Sequence, residues 1–270
     1  MVATPIGNLG DVTQRAIETL READVIAAED TRVTRVLLGH LGIGAKLVAL
    51  HAHNEKAAAQ KVIAWLGEGK RVAFVSDAGT PAVSDPGAAL VAAVRAAGHR
   101  VVPIPGPSAL TTALSAAGIE ADGVVFAGFL PARGAERRER LARLAAGPWA
   151  IALFESPHRV AQTLSDLHEA LGDRDVVVAR ELTKKFETIA RVPLAQARAW
   201  IEADPDRTRG ELVLVVEGRP VEDRGGLDPR QVLETLLAEL ALKQAVALAV
   251  KLTGGKRNEL YALALEINGK

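Results

Sequence analysis

Val25-Ile26-Ala27-Ala28, Leu47-Val48-Ala49-Leu50 and Val72-Ala73-Phe74-Val75 are short apolar runs with no alternation of polar residues. A strand with one wet face alternates in polarity, whereas a strand covered on both faces reads as continuous apolar sequence. Each run is followed by a helical pattern, as in Ala58, Val62, Trp65 and Leu66, whose spacing is that of one helix face. "MVAT" and "HRVVPIPG" read as two further strands, the second leading to a helix with Pro107 and Ser108 near its start and Gly118 at its end. Strands and helices in alternation mean an α/β fold with a mainly parallel sheet covered on both faces.

A second block begins near residue 119. Its expected strands are "VVFAGFL", "WAIALFES", "DVVVAREL", "FETIARVP" and "GELVLVVEG". The runs at 176–182 and 186–192 are so close that they should pair antiparallel, which makes this second sheet mixed. A break at "GRPVEDRGGLDP" leads into a helical tail. The expected organisation is therefore residues 1–118, residues 119–218 and a tail over 228–270.

Composition narrows the function classes. The chain has 270 residues, 49% hydrophobic and 24% charged, enough for a sizeable core. Aromatics make up only 3%, so that core must rest on Ala, Val, Leu and Ile. A formal net charge of zero provides no global basic field for a polyanion, so any such partner must be met by local patches. The absence of cysteine excludes disulfides and thiolate metal sites and fits a reducing compartment. Met1 is followed at once by the strand-like "VATPIG", and no apolar run approaches the ~18 residues of a membrane span. A soluble intracellular protein is expected.

"VSDAGTPAVSDPG", residues 75–87, joins an apolar strand to a helical pattern with far more turn chemistry than a connector needs. It lies at the carboxyl end of a strand, where open α/β sheets place ligands. Its glycines allow close backbone approach, and the N–H groups of the next helix can face a ligand. The second half of the stretch, Ser84-Asp85-Pro86-Gly87, reads as a helix start with an aspartate near the helix dipole. There is no GxxxxGK[ST] loop and no GxGxxG fingerprint.

"VATPIGNLGD", "AAEDTR", "HNE", "VSDAGTPAVSDPG", "PIPGPSAL", "GFLP", "FESPHR", "ARELTK" and "GELVLVVEG" occur in this order, and "GGKRNELYALAL" follows in the tail. In this the chain resembles the ribosomal RNA small-subunit methyltransferase I group of the tetrapyrrole methylase superfamily. The resemblance implies two α/β domains with S-adenosylmethionine between them, and a cytoplasmic homodimer. It implies methylation of the ribose 2′-oxygen of a cytidine in the decoding region of 16S rRNA, on naked RNA or on the small ribosomal subunit. Carried over by position, Asp77, Ala78, Gly79 and Thr80 should line the methionine end and ribose of the cofactor, Ser108 and Ala109 the facing wall, and Pro5 the floor. Phe154, Glu155 and Leu212 should come from the second domain. A tetrapyrrole or diphthine-type methylase, or a non-catalytic ribosome-assembly factor of the same fold, stands as the alternative.

The remaining polar residues divide between surface and site. Asp30 reads either as a helix cap paired with Arg32 or as a base, with Asp30 or Glu29 near the reacting hydroxyl and Arg32 holding a phosphate. Glu181 is the other expected base. His53, Asn54 and Glu55 lie at the end of the third strand and are expected to position RNA. His51 stands with them, but no third ligand of recognisable spacing makes a metal site. Arg180 and Lys184 should grip the nucleotide, and Lys251, Lys256 and Arg257 give the tail a basic face for RNA. "ARGAERRERLAR" reads as a solvated helix with ion pairs or as a phosphate-contacting surface.

Overall fold

The structure is a computed structural model that describes residues 1–51, 55–219 and 227–268, with Glu55 and Lys56 described in their backbone only. It contains two compact units, Met1–Gly218 and Arg219–Lys270.

In the first unit, α1 (Gln14–Glu22) leads to β1 (Val25–Ala28), α2 (Thr31–His40), β2 (Leu47–Ala49), α3 (Glu55–Gly67), β3 (Val72–Val75), α4 (Ala88–Ala96) and α5 (Ala109–Ala117). The three strands form a parallel sheet in the order β2-β1-β3. β1 is buried at every position, which is why its sequence shows no alternation. The two flanking segments expected as strands make single bridges instead, Val2 to Ile104 and Thr4 to Gly79. Proline explains the shortfall: Pro103 and Pro105 flank Ile104 and carry no N–H, so a longer ladder there has no donors. Val2 still donates to Phe74 at 2.8 Å and Ile104 to Met1 at 2.8 Å, so the extended chain continues the sheet beyond β3.

The same unit continues through β4 (Val124–Phe129), α6 (Gly134–Ala145), β5 (Ala150–Glu155), α7 (Val160–Leu171), β6 (Asp175–Arg180), β7 (Thr188–Pro193), α8 (Leu194–Glu202) and β8 (Leu212–Val216). The sheet order is β4-β5-β8-β6-β7, with β4 and β5 parallel and the other pairs antiparallel. The five expected strands are all present, and the 176–182 and 186–192 runs pair as their spacing requires. β8 is buried along its length and packs with α7 and α8 side chains such as Leu164 and Ile201.

The "ARGAERRERLAR" helix, α6, differs from a fully solvated one. Arg133 and Arg143 pair with Glu136 and Glu139 on the surface, but Arg137 is buried against Asp166, Nε to Oδ2 2.5 Å.

The second unit holds α9 (Pro229–Leu237), α10 (Leu242–Thr253) and α11 (Arg257–Asn268) around Leu233, Val246, Ala249, Leu260 and Ala264. Asp228 caps α9, and Gly254 ends α10 in the left-handed conformation at φ 70°, a geometry that favours glycine.

Candidate active site

The turn after β3 is held from several sides. Thr4 and Gly79 exchange backbone hydrogen bonds of 2.9 and 3.0 Å, tying the first loop to the "SDAGTP" turn. Gly79 has φ 74°, and a Cβ there would stand 3.3 Å from Ile6 Cγ2, so this close approach calls for glycine. The Thr80 hydroxyl donates to the Pro107 carbonyl at 3.0 Å and so ties the turn to the start of α5. Asp77 accepts from the Asp30 N–H at 2.9 Å through Oδ1, and its own N–H donates to Glu29 at 3.3 Å.

The turn faces a cavity of about 380 Å³. Asp77, Ala78, Gly79 and Thr80 reach it from the end of the first sheet, Ser108 and Ala109 from the start of α5, which packs on the second sheet, and Phe154, Glu155 and Leu212 from the second sheet itself. Pro5 alone of the expected cofactor residues is elsewhere. It lines a neighbouring cavity of about 360 Å³ with Thr4, Leu9, Val33, Val36 and Lys184, while the adjacent Ile6 reaches the first. Ile6, Asp77, Ala78 and Glu211 line both cavities and form the wall between them.

Backbone strain marks the first cavity. The non-glycine residues with positive φ among the described residues are Ala82 (69°), Ser84 (62°), Glu181 (52°) and Thr183 (66°). Each pair brackets one apolar residue, Val83 and Leu182, and both of these line the cavity. Such conformations are costly for residues with a Cβ and concentrate where a surrounding structure enforces a functional shape.

The electrostatics are acidic on one side and apolar on the other. Burial raises the Glu29 carboxyl above its ordinary value against the hydrogen bond from the Asp77 N–H, and repulsion from Asp77 and Asp85 adds to the rise. Burial likewise raises Asp85, against a hydrogen bond from Ser76. Asp85 lies two residues before Gly87, which caps α4, so the turn both precedes a helix and places a carboxylate on the cavity wall. Opposite, Phe154 meets Phe126 and Phe129 edge-on at 4.9 and 5.6 Å, and Phe129 is 56% exposed. Three of the five phenylalanines thus gather at this point.

Glu155 has a different job from its neighbours. Its side chain is fully buried, with Oε1 accepting from the Ser156 N–H at 2.8 Å and Oε2 from the Thr163 hydroxyl at 2.6 Å. Arg159 lies 3.4 Å away and donates to the Leu130 carbonyl at 2.7 Å, so "FESPHR" locks the end of β5 to the end of β4.

The two expected bases are engaged in ion pairs. Asp30 caps α2 and takes hydrogen bonds from Arg32, mainly from its guanidinium and then its N–H, which hold the carboxyl down at about 2. Burial works to raise Glu181, but hydrogen bonds from Lys184 and from the Glu211 N–H bring it below its ordinary value. Neither residue lines either cavity. Lys184 Nζ is 2.9 Å from Glu181 and 2.7 Å from Glu211, so it positions the shared wall. Arg180 folds back onto the Phe186 carbonyl at 3.0 Å. Arg32 is 86% exposed despite its partner. His53 and Asn54 lie outside the described residues. Lys251 lies in the last turn of α10 and Arg257 begins α11, and Lys256 between them is 85% exposed.

Ile6, Val83, Phe129, Leu182 and Glu211 also line the first cavity, and nothing in the motifs that contain them singles them out. Their signal is strand-end position, and which of several loop residues turns inward is decided by φ/ψ. Among the described residues no group of three His, Cys, Asp or Glu is arranged to hold a metal ion, and no helix is long and apolar enough to cross a membrane.

Residues 1–198 match the family model described as tetrapyrrole (corrin/porphyrin) methylases, and residues 224–268 match the RsmI C-terminal HTH domain. A ribosomal RNA small subunit methyltransferase I from Escherichia coli O157:H7 is 50% identical, with 100% of this chain and 95% of that protein aligned. The protein of the same name from Pseudomonas aeruginosa is 47% identical over 100% of this chain and 97% of its own length. Among solved structures, the cobalt precorrin-4 methyltransferase CbiF superposes with a TM-score of 0.61 at 20% identity, over 80% of this chain and 92% of that one. A uroporphyrin-III-C-methyltransferase from Thermus thermophilus gives 0.56 at 21% identity over 80% and 92%. At that identity these structures show the shared fold.

Proposed function

The chain belongs to the ribosomal RNA small subunit methyltransferase I family, within the tetrapyrrole methylases, and from that membership we propose that it methylates the ribose 2′-oxygen of a cytidine in the decoding region of 16S rRNA, with S-adenosylmethionine as methyl donor. The observation that carries the reading is the first cavity, whose wall joins the "SDAGTP" turn to Phe154 and Leu212.

The residues there fit such a cofactor. Glu29, Asp77 and Asp85 place carboxylates where a sulfonium cation would be favoured, and Phe129 and Phe154 offer aromatic surface to an adenine. When bound, the cofactor supplies an electrophilic methyl group. The chain's own contribution is to hold donor and acceptor in line, since alignment of well-oriented groups is worth about 7–11 kcal/mol. The ribose hydroxyl must also lose its proton. We assign that proton to Glu211 rather than to Asp30 or Glu181, because Glu211 stands in the wall common to both cavities while they line neither, and its side chain is 76% exposed even with Oε2 paired to Lys184 at 2.7 Å. Asp77, the other carboxylate in that wall, already accepts the Asp30 N–H.

Arg32, Lys184 and the tail cations Lys251, Lys256 and Arg257 are read as contacts to the RNA, the tail's match to an HTH model supporting the last three. Domains 1–118 and 119–218 are proposed because each sheet is built wholly from one side of residue 118. A homodimer and a cytoplasmic location rest on the family resemblance and on where ribosomal RNA is found. The relatives' names support an RNA substrate over a tetrapyrrole. Incubation with labelled cofactor and small ribosomal subunits, followed by mapping of the methylated nucleotide, tests the reading. Label in a base or in protein, or none at all, would refute it.

A further inference from the structure

We infer that the second cavity holds the target nucleoside, turned out of its strand, with its base against Val33, Val36 and Leu37 and its ribose toward the wall shared with the first cavity. This rests on the rRNA methyltransferase reading above. An in-line transfer brings the reacting atoms to about 3–3.5 Å, so the acceptor's chamber must abut the donor's. The second cavity meets that demand through Ile6, Asp77, Ala78 and Glu211. Its volume of about 360 Å³ is within the range of roughly 300–1,000 Å³ typical of small-molecule sites.

The lining has the chemistry of a base pocket. Val33 and Val36 are 45% and 69% exposed, and Leu9 36%, so apolar side chains face outward where a helix needs polar ones. Enzymes that act on flipped nucleotides hold the base between apolar or aromatic side chains. Thr4 also lines the cavity, is 2% exposed, and its hydroxyl has no hydrogen-bond partner among the described residues. Buried hydroxyls are normally satisfied, and a nucleoside carries both donors and acceptors to do so. Arg32 and Arg35, exposed on the same helix as Val33 and Val36, are placed to meet the flanking phosphates.

The chain has no cysteine, so Val36→Cys provides a unique attachment point for a thiol-directed benzophenone. Irradiated with small ribosomal subunits, the full-length labelled protein should crosslink to 16S rRNA at or beside the nucleotide that the unlabelled protein methylates. In parallel, Val36→Asp and Thr4→Val should each lower kcat/KM on small subunits about tenfold, the scale of a mismatched pocket contact. Cofactor affinity by calorimetry should not change. Crosslinks at RNA segments remote from the methylated nucleotide, or wild-type kinetics in both variants, would overturn the inference. Val36 is exposed, so its variants fold even where Thr4→Val does not. Failure of the unmodified protein to methylate small subunits would instead overturn the functional reading, and this inference with it.

Discussion

Asp30 and Asp77 are joined by a 2.9 Å hydrogen bond from the backbone N–H of the one to Oδ1 of the other. The Asp77 N–H in turn donates to the Glu29 carboxylate at 3.3 Å. The turn after β3 and the start of α2 are therefore one cross-bonded unit, and Asp77 both anchors it and charges the first cavity.

Two substitutions separate those roles. Asp77→Asn keeps an oxygen for the Asp30 N–H but removes the charge, and it should weaken S-adenosylmethionine binding about tenfold with little change in melting temperature. Asp77→Ala removes the anchor as well, at a cost of about 1 kcal/mol for the lost hydrogen bond, so melting temperature should fall too. Calorimetry and thermal melts decide. Equal affinity in wild type and both variants would remove this turn from the cofactor site.

Much of this was legible in the sequence, and the limits are physical. The buried strands announce themselves because β1 and β8 are apolar at every position. The "SDAGTP" and "FESPHR" turns are visible as excess turn chemistry at strand ends. What no pattern reveals is which way a side chain faces once φ turns positive, as at Ala82 and Ser84 around Val83. Nor can sequence say that the Asp30 carboxylate is claimed by Arg32 two residues on, or that Arg137 of a charged helix is buried against Asp166, 29 residues distant.

The acidic wall implies a pH dependence. Burial raises Glu29 above 4.5 and Asp85 above 3.8, so each protonates at a higher pH than a free carboxyl. For folding, the stability associated with these raised groups is present below their unfolded values and is lost as pH rises through the folded ones. For a cationic ligand the sign reverses, because the charged carboxylates favour it. Affinity for S-adenosylmethionine should therefore increase as pH rises from about 4 toward 7, and Glu29→Gln should flatten part of the rise. A pH-independent affinity in the wild type would show that these carboxylates do not face the sulfonium.

The ion pair inside α6 and α7 makes a stability prediction. The Arg137 and Asp166 side chains are 7% and 3% exposed, and Gln162 also donates to Asp166 at 3.0 Å. Asp166→Ala would leave a buried guanidinium without its partner, which costs about 3–5 kcal/mol. Denaturant titration should show that loss, whereas Arg143→Ala, at a surface pair, should change stability by less than about 1 kcal/mol.

Chemistry can be separated from binding with amide variants. Glu211→Gln keeps shape and one acceptor oxygen but cannot take a proton, so single-turnover methylation should fall by about 10²–10⁴. Asp30→Asn and Glu181→Gln, whose carboxylates line neither cavity, should remain within a few-fold of wild type provided the loops hold. The reverse ranking would return the base to Asp30 or Glu181, and small effects in all three would mean that alignment alone suffices.

The tail cations make a prediction about salt. Lys251, Lys256 and Arg257 flank the junction of α10 and α11, and the partner of Lys256, Glu259, is 3.5 Å away on the surface, so that cation remains available to RNA. Each phosphate contact releases counterions, and its loss reduces the slope of log affinity against log salt by about 0.7–0.9. Replacing all three with alanine should weaken binding to small subunits and reduce that slope by about two units. Cofactor affinity should stay at the wild-type level, because Asp77, Phe154 and the rest of the cofactor wall belong to the other compact unit. Filter binding across a salt series reads both quantities. An unchanged slope with unchanged affinity would assign the three cations to helix solvation and leave the HTH-like tail without a phosphate contact at this junction.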